Sequence, residues 1–543
     1  MGKDPNLRER LLFLMSPERG AKAYRNRLKT EGPERYKMAA TGYGKHGASK
    51  TLNSMIGWLP GGGAAEDDVD LQGATLRIRS RDLYAGGGLA RSGISKLTTN
   101  VVGWGIVPKP KIDAELLGLS DEQKDEWERN AAREFRLWAE SKNCDAERTK
   151  DFYTLQQLAF RSELISGDAF VVFGMKPNKL TPYQTTLRLL EADRVSTPDS
   201  TGDVSDVKLL DNNGRIIDGV EVDGEGVVVR YHIASRHPLL ENSNDTVEWS
   251  TIEAEGSDTG MPNILHIMLH ERPEQRRGVP FVSAEIEQIK QLDRYINSEL
   301  AANVVAAMLT AFLESDADDG KAGMDDAIDE EDKVTHDELH LELGAGAIYD
   351  LPPGKKIQTV NPLRNNSGFE SFVNALMTVI GSSMEIPKEV LVSSYNSNYT
   401  AARAAMLDFW KTVKVHRSAF NKTFNQPVYE AWLAEAVALG RIEAPGFFED
   451  PLIRQAWCGC MWMGSTMGHV DPLKEVNAAA QRIALNISTE EQEAAEFNGN
   501  DWRANIAQRK KEISAAREMN PVQTAQSPPN DNNTDDEEDD NDE

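Results

Sequence analysis

The stretch LPPGKKIQTVNPLRNNSGFESFVNALMTVIGSSMEIPKEVLVSSYNSNYTAARAAMLDFWKTVKVHRSAFNKTFNQPVYEAWLAEAVAL, Leu351–Leu439, carries most of the architecture. Pro352, Pro353 and Gly354 before KKIQTV read as a turn leading into a strand. Ser367–Met384 has the apolar spacing of an amphipathic helix. EIPKEVLVSSYNSNYT, from Glu385, is rich in Ser, Asn and Tyr and reads as a loop. A long helix follows from Thr400 to about Leu439, with Arg403, Lys411, Lys414 and Arg417 on polar positions. Pro427 should kink or divide it, because proline lacks the amide proton and clashes with the carbonyl four residues back. No residue of the stretch forms an obvious catalytic set. The pattern is a loop held between two helices.

Working upstream, a second long helix is predicted. From Phe281 to Leu313, Val282, Ile286, Ile289, Ile296, Leu300, Val304, Met308 and Phe312 recur at the spacing of one helix face. At 1.5 Å per residue this gives a rod of ~45–50 Å. Glu285, Lys290, Arg294 and Glu299 mark the opposite face of its first half, whereas AANVVAAMLTAFL is small and apolar nearly all round. Such a helix needs neighbours on several sides, as in the core of an enzyme or a close-packed ring of helices. ESDADDGKAGMDDAIDEEDK then reads as a solvated acidic loop, and LHLELGAGAIYDLPPGKKIQTV as a strand pair.

Local signals place the other elements. Two helices should be broken at Gly86-Gly87-Gly88, with a strand at Gly105–Pro108. Ser120 and Gln123 form a capping-box signature for a helix that puts Trp127, Phe135 and Trp138 on one face. Asp151–Leu164 reads as a helix, DAFVVFGM and NILHIML as strands, and Leu187–Ser250 as strand-rich with Asn-Gly and Asp-Gly turns. Pro472 sits early in a helix, Ser488/Thr489 caps another, and Pro521 ends order. The fold class is α+β, mainly helical.

The net charge is −27, which argues against a surface built to grip nucleic acid tightly, since that requires Lys and Arg against phosphates. The charge is uneven. Met1–Lys50 holds twelve Lys/Arg against five Asp/Glu and reads as a basic helix to about Lys29, then a mobile arm. Asp531–Glu543 holds nine Asp/Glu and no Lys or Arg, and should be a disordered acidic tail. Three cysteines make no disulfide framework. The apolar run Leu300–Leu313 falls short of the ~20 residues a membrane span needs, and LLFLM at Leu11–Met15 is too short for a secretory signal.

Chemical motifs are weak. Gly44–Thr51, GKHGASKT, approaches a P-loop but has Ser49 in place of the glycine before Lys50. Cys458 and Cys460 with His469 offer three of the four ligands of structural zinc, and buried thiols are the plainer reading. His266 and His270 share one face of a predicted strand and read as structural histidines. No catalytic residue, metal site or cofactor is expected.

Five blocks, in order, resemble the lambda-type phage portal family: Arg79–Ile106, Ser166–Phe173, His266–Leu300, 351–410 and His469–Ala479. The most specific marks are the string RPEQRRGVP with the following LDRY, and the fourth block. The resemblance implies a portal fold with wing, stem, clip and crown regions, assembled as a ring, a dodecamer by family precedent. It implies a basic arm over 1–70, a wing over 71–280, a stem helix over 281–312 and a clip over 313–352. A return helix would cover 353–384, a channel loop 385–399, a long helix 400–439, the crown 440–519 and the tail 520–543. Lys388, Ser393, Ser394, Tyr395, Asn396, Ser397 and Asn398 would line the channel. Ile286, Ile289, Ile296, Leu300, Val304, Met308 and Phe312 would pack subunits together. Implied partners are further copies of the chain, double-stranded DNA passing non-specifically, the large terminase subunit, major capsid and scaffolding proteins, and head-completion or adaptor proteins. No membrane is implied; the ring would form in the host cytoplasm and end at the capsid vertex. The alternatives are a nucleotide-using packaging enzyme or another ring-shaped virion adaptor.

Overall fold

The computed structural model describes residues 62–69, 72–198, 207–210, 214–238, 247–307, 311–315, 355–359, 368–395, 399–468, 472–499 and 502–519, with Ser16, Arg19 and Lys22. Met1–Ala64 and Ala65–Glu543 are separate units, and the sheets and the hydrophobic core belong to the second. The P-loop-like segment, most of the basic arm and of the acidic insertion, Met308, Asn396–Asn398, His469, Pro521 and the acidic tail lie outside the described residues.

Two helices, α1 at Gly73–Gly86 and α2 at Gly88–Val101, flank Gly87, whose φ of +89° breaks them where the glycine triplet predicts. Strand β1 follows at Val107–Pro110, two residues beyond its expected start. Helix α3, Asp121–Ala139, begins on the capping box: the Ser120 hydroxyl accepts from the Gln123 amide and the Gln123 side chain accepts from the Ser120 amide. Phe135 and Trp138 are buried on its inner face, and Trp127 is half-buried with its ring 4.9 Å from that of Trp457. Asp151 caps α4, Phe152–Ser166.

Strand β2, Asp168–Met175, is the centre of a three-stranded antiparallel sheet, between β3, Thr185–Leu190, and β9, Ile264–Met268. A meander of five strands lies beside it: β4, Val207–Leu209; β5, Arg215–Ile217; β6, Val220–Val222; β7, Val228–Ala234; and β8, Trp249–Glu253. Side chains alternate across a strand. Ala169, Val171, Leu265 and Ile267 therefore enter the main core, while Phe170 and Ile264 join Val195, Val220 and Ile233 of the second.

Helix α5 runs Ile286–Ala307, entered by a tight turn at Ser283–Glu285. The single helix expected to reach Leu313 is corrected here. Phe312 lies in strand β10, Ala311–Ser315, opposite Gln358 of β11, Lys355–Thr359. Apolar period is a local signal and could not see this distant partner. Then come α6, Phe369–Ser383, a short helix α7, Lys388–Leu391, and α8, Tyr399–Phe420. A π-helical turn at Asn421–Asn425 joins α8 to α9, Gln426–Ala438. Pro427 thus occupies the first turn of α9, where a missing amide proton costs little, and the wider π turn makes the division.

Beyond Gly440 the chain returns to the body. Helix α10, Pro451–Trp457, leads to β12, Cys460–Met463, which pairs antiparallel with β1, Val107 opposite Met463. Ile442, Phe447, Trp457 and Cys458 belong to the same core as Ile94, Phe135 and Trp432, so the packing runs across residue 440 without a break. Helices α11, Pro472–Ala484, α12, Glu490–Asn498, and α13, Trp502–Met519, stand outside that core. Thr489 caps α12 as expected.

A buried charge cluster ties the two sheets together. Arg277, fully buried, donates from Nε to Asp168 Oδ2 at 2.7 Å and from the other nitrogens to the carbonyls of Val195, Asp218 and Ala192 at 2.9, 2.5 and 2.9 Å. Asp168 Oδ1 accepts from the Gly278 amide at 2.6 Å and lies 2.9 Å from His266 Nε2. Burial would raise the Asp168 carboxyl, but Arg277 and His266 outweigh it and hold it well below the usual range. Asp193 takes Arg77 at 2.8 Å and also pairs with Arg81. Gly167 and Gly278 cross at the centre: a Cβ on Gly278 would fall 1.9 Å from the Gly167 carbonyl oxygen, and Gly167 sits at φ +84°. His266 is therefore a structural partner of Asp168, and His270 is exposed beyond the strand.

Glu163, on α4, is buried with Oε2 unpartnered, and burial, aided by Asp168, pushes its pKa up to about 8. Ionising it disfavours the folded chain, so this group removes stability as pH rises from its ordinary value of ~4.5 toward 8, at ~1.4 kcal/mol per unit. Glu163→Gln should raise the denaturation midpoint at pH 8 and leave it unchanged near pH 4.5; an equal gain at both would show the carboxyl is not ionisation-limited. Asp168 has the opposite sign: its stabilisation is present above its ordinary carboxyl range and is lost as pH falls below it. Asp168→Asn leaves the buried guanidinium of Arg277 with the Asp218 carboxylate as its partner at 2.8 Å and should cost ~3–5 kcal/mol in chemical unfolding at pH 7.

Candidate functional site

Helices α5 and α6 lie antiparallel. Glu285 bonds Ser383 at one end, and Tyr295 stacks on Phe369 at 5.5 Å and meets Phe372 edge-on at 5.2 Å farther out. Their roots are part of the body: Ile289 and Leu292 are buried, and Ile380, Met384 and Ile386 join the same core. Ile289 and the half-buried Ile286, expected to pack subunits, therefore serve the subunit's own core. On the outer half of α5, and on one side of α6 from its outer end to its root, apolar side chains stay partly exposed. Ile296, Leu300 and Val304 on α5 are 40, 62 and 47% exposed, and Phe372 and Val379 on α6 are 53 and 61% exposed. Leu292, Phe372 and Val379 were not singled out by sequence, although the apolar spacing of both helices includes them.

Between α6 and α8 the chain is less of a loop than its composition suggests. α7 buries Val390 and Leu391 against α2, where Gly93 makes room: a Cβ there would meet Met384 Cε at 2.4 Å. The Ser92 hydroxyl donates to the Leu391 carbonyl at 2.6 Å, and the Lys96 ammonium donates to the Ser393 hydroxyl at 2.6 Å. Lys388, expected in a free loop, is half-buried in α7 with Nζ 3.4 Å from Asn374 Oδ1 of α6. Ser393 turns the chain out at φ +54°; it and Tyr395 are exposed and Ser394 is half-buried. Lys96 thus adds a cation at the loop's root, which sequence reading missed because α2 is some three hundred residues away.

A family described as phage portal protein, lambda family, matches residues 51–417, a span that holds α5, α6, α7 and most of α8. The chain belongs to the lambda family of phage portal proteins. It is similar to the portal protein of Escherichia phage N15, 24% identical over 501 residues, covering 88% of this chain and 92% of that one. It is similar to portal protein B of Escherichia phage lambda, 23% identical over 495 residues, covering 87% and 90%. Among solved structures, a chain from the neck of an empty gene transfer agent particle computed with C6 symmetry has a TM-score of 0.41 at 12% identity, covering 78% of this chain and 92% of that one. Family membership supports the portal reading over a nucleotide-using enzyme or another virion adaptor.

In this portal chain Arg417, expected on a polar face, turns inward. Its guanidinium donates to the carbonyls of Val101, Asn100 and Ser465 at 2.8, 2.6 and 2.8 Å, closing the C-terminal end of α2, and burial lowers its pKa to about 10. Beside it an open groove of about 410 Å³ is lined by Lys414, Ser418, Asn421, Lys422 and Trp462. Cys458 is buried and Cys460 half-buried. Among the described residues, one trio of metal-ligand type converges, Glu191, Asp193 and His237, and the guanidiniums of Arg77 and Arg81 already pair with its central carboxylate. Among the described residues no helix is long and apolar enough to cross a membrane.

Proposed function

We propose that copies of this portal chain close into a ring, twelve by family precedent, at one vertex of a phage capsid, and that double-stranded DNA passes through its axis during packaging and ejection. The observation that carries the reading is the partly exposed apolar face on the outer half of α5 and along α6. Full burial of such side chains is worth ~1.5–3 kcal/mol each, so five per subunit form a strong incentive to associate. Under this reading α5 and α6 are the stem, β10 and β11 the base of the clip, and Ser393–Asn398 the channel loop. The rest of the body, residues 71–280 with the long helix over 400–439, is the wing, and residues 440–519 form the crown. The ring takes no chemical step: it binds the large terminase subunit, capsid and scaffolding proteins, and head-completion proteins in turn.

Leu300→Glu with Val379→Glu should leave the isolated subunit folded, since both side chains are exposed in it. Ring particles with a central hole, counted by negative stain or mass photometry, should fall to under about a tenth of the wild-type yield. A wild-type chain that stays a single subunit under every assembly condition, or a variant that still forms rings, would sink the reading. The loop makes a separate demand. Each added phosphate contact brings salt-sensitive affinity, so a sliding duplex needs a wall that does not hold it. Asn396→Lys with Asn398→Lys should therefore slow packaging in vitro several-fold at low salt and less at high salt. An unchanged rate would place the loop away from DNA.

A further inference from the structure

We propose that the acidic C-terminal segment Asp531–Glu543 docks on the basic groove along α8 and the π turn, and masks it from other polyanions. In a chain of net charge −27 this groove is a local exception. Lys411, Lys414, Ser418 and Lys422 follow one another at spacings of three and four, which places them on one ridge. Lys411 and Lys414 are 80 and 60% exposed. Their partners, Asp408 and Glu496, stand 3.4 Å away in exposed pairs of the kind worth little in water. Among the described residues Lys422 faces no carboxylate at ion-pair distance, and Glu430 is occupied by Gln426 at 2.9 Å. Among the groove's other lining residues, Ser418, Asn421 and Trp462 offer polar and flat surface to an acidic peptide.

The tail fits in charge and in reach. It carries nine carboxylates and no cation in thirteen residues. The groove already touches α12 through Lys414 and Glu496, and α13 begins six residues after Glu496. α13 is 18 residues long, a rod of ~27 Å. The twelve steps from Met519 to Asp531 span up to ~40 Å when extended, enough to return along the rod to its root. A tethered polyanion acts at an effective concentration of order millimolar, so it holds a site of modest affinity against free competitors. Duplex phosphates share this charge chemistry; the tail is favoured because it is attached. The contact needs no ring, and it stands or falls separately from the channel reading.

Zero-length carbodiimide coupling of the full chain, followed by peptide mass spectrometry, tests the contact. Lys414 coupled to Glu496 serves as internal control. At about 50 mM salt Lys414 or Lys422 should be joined to carboxylates within 531–543, and the yield should drop several-fold at about 500 mM. A second readout is coupling between groove and tail. Ending the chain at Met519 should tighten binding of a short fluorescent duplex about tenfold, and in Lys411→Glu/Lys414→Glu/Lys422→Glu the same truncation should change nothing. Control links without tail links, tail links only to the N-terminal arm or to Lys510 and Lys511, or a truncation effect of equal size in the triple variant would each overturn the proposal.

Discussion

A guanidinium with no access to water sets the geometry of this subunit. Arg277 lies between two sheets and is met by the carboxylates of Asp168 and Asp218, at 2.7 and 2.8 Å, and by three carbonyls. A permanently charged fork with five donors can serve several acceptors at once, which the single ammonium of lysine could not do. The backbone that presents Asp168 and Arg277 must also cross itself, and only glycine at 167 and 278 allows that approach. Four residues past Arg277, the Phe281 amide donates to the Leu164 carbonyl at 2.9 Å, and Val282 is fully buried. The root of α5 is therefore fixed by the same cluster that joins the sheets. An arm that emerges from a rigid root can meet a neighbour at a defined angle.

That root explains why one helix has two characters. Near the body, α5 buries Ile289 and Leu292 as any core helix does. Beyond Tyr295 the same period continues, but Ile296, Leu300 and Val304 are 40, 62 and 47% exposed. Under the proposed ring, a single periodic pattern would serve the fold first and a neighbouring copy second, with the aromatic stack of Tyr295 on Phe369 at the change of role. The pattern alone gives no sign of where one role ends. Five uncovered apolar side chains do not convert directly into affinity, because association costs translational and side-chain entropy. A closed ring reduces that cost, since its last contact joins surfaces already held in place.

What could be read from the sequence was what is local. The break at Gly87, the Ser120–Gln123 box, the cap at Thr489, strand β2 and the division near Pro427 each follow from residues within one turn of the feature. What escaped is long-range. Phe312 kept the helical period but is held by Gln358 in a strand pair. Lys388 looked like a free loop cation, yet Val390 and Leu391 anchor its helix on α2. Arg417 looked solvated because its spacing is polar, and it closes another helix. Arg277 stood out only as part of a specific string, RPEQRRGVP; nothing near it in sequence announces Asp168, Ala192 or Val195 as its partners. Of the candidate loop, Lys96 was invisible for the same reason.

The placement of cations follows a common logic. Arg77, Arg277 and Arg417 are turned into the body, where carbonyls and carboxylates satisfy them, and Arg441 is held on Glu134 at 2.7 Å. Such cations hold structure and are withdrawn from the surface. Under the proposed function, a chain that lets DNA slide would gain twice from this arrangement: its architecture is held by charge, and fewer cations are left to meet phosphates. The ridge of Lys411, Lys414 and Lys422 departs from that logic. A surface of three lysines, left bare beside a moving polyanion, would act as a brake whose strength falls with salt. In the proposed docking, acidic sequence tethered within reach would cancel that charge locally and leave the lysines available for a stronger partner when the tail is displaced.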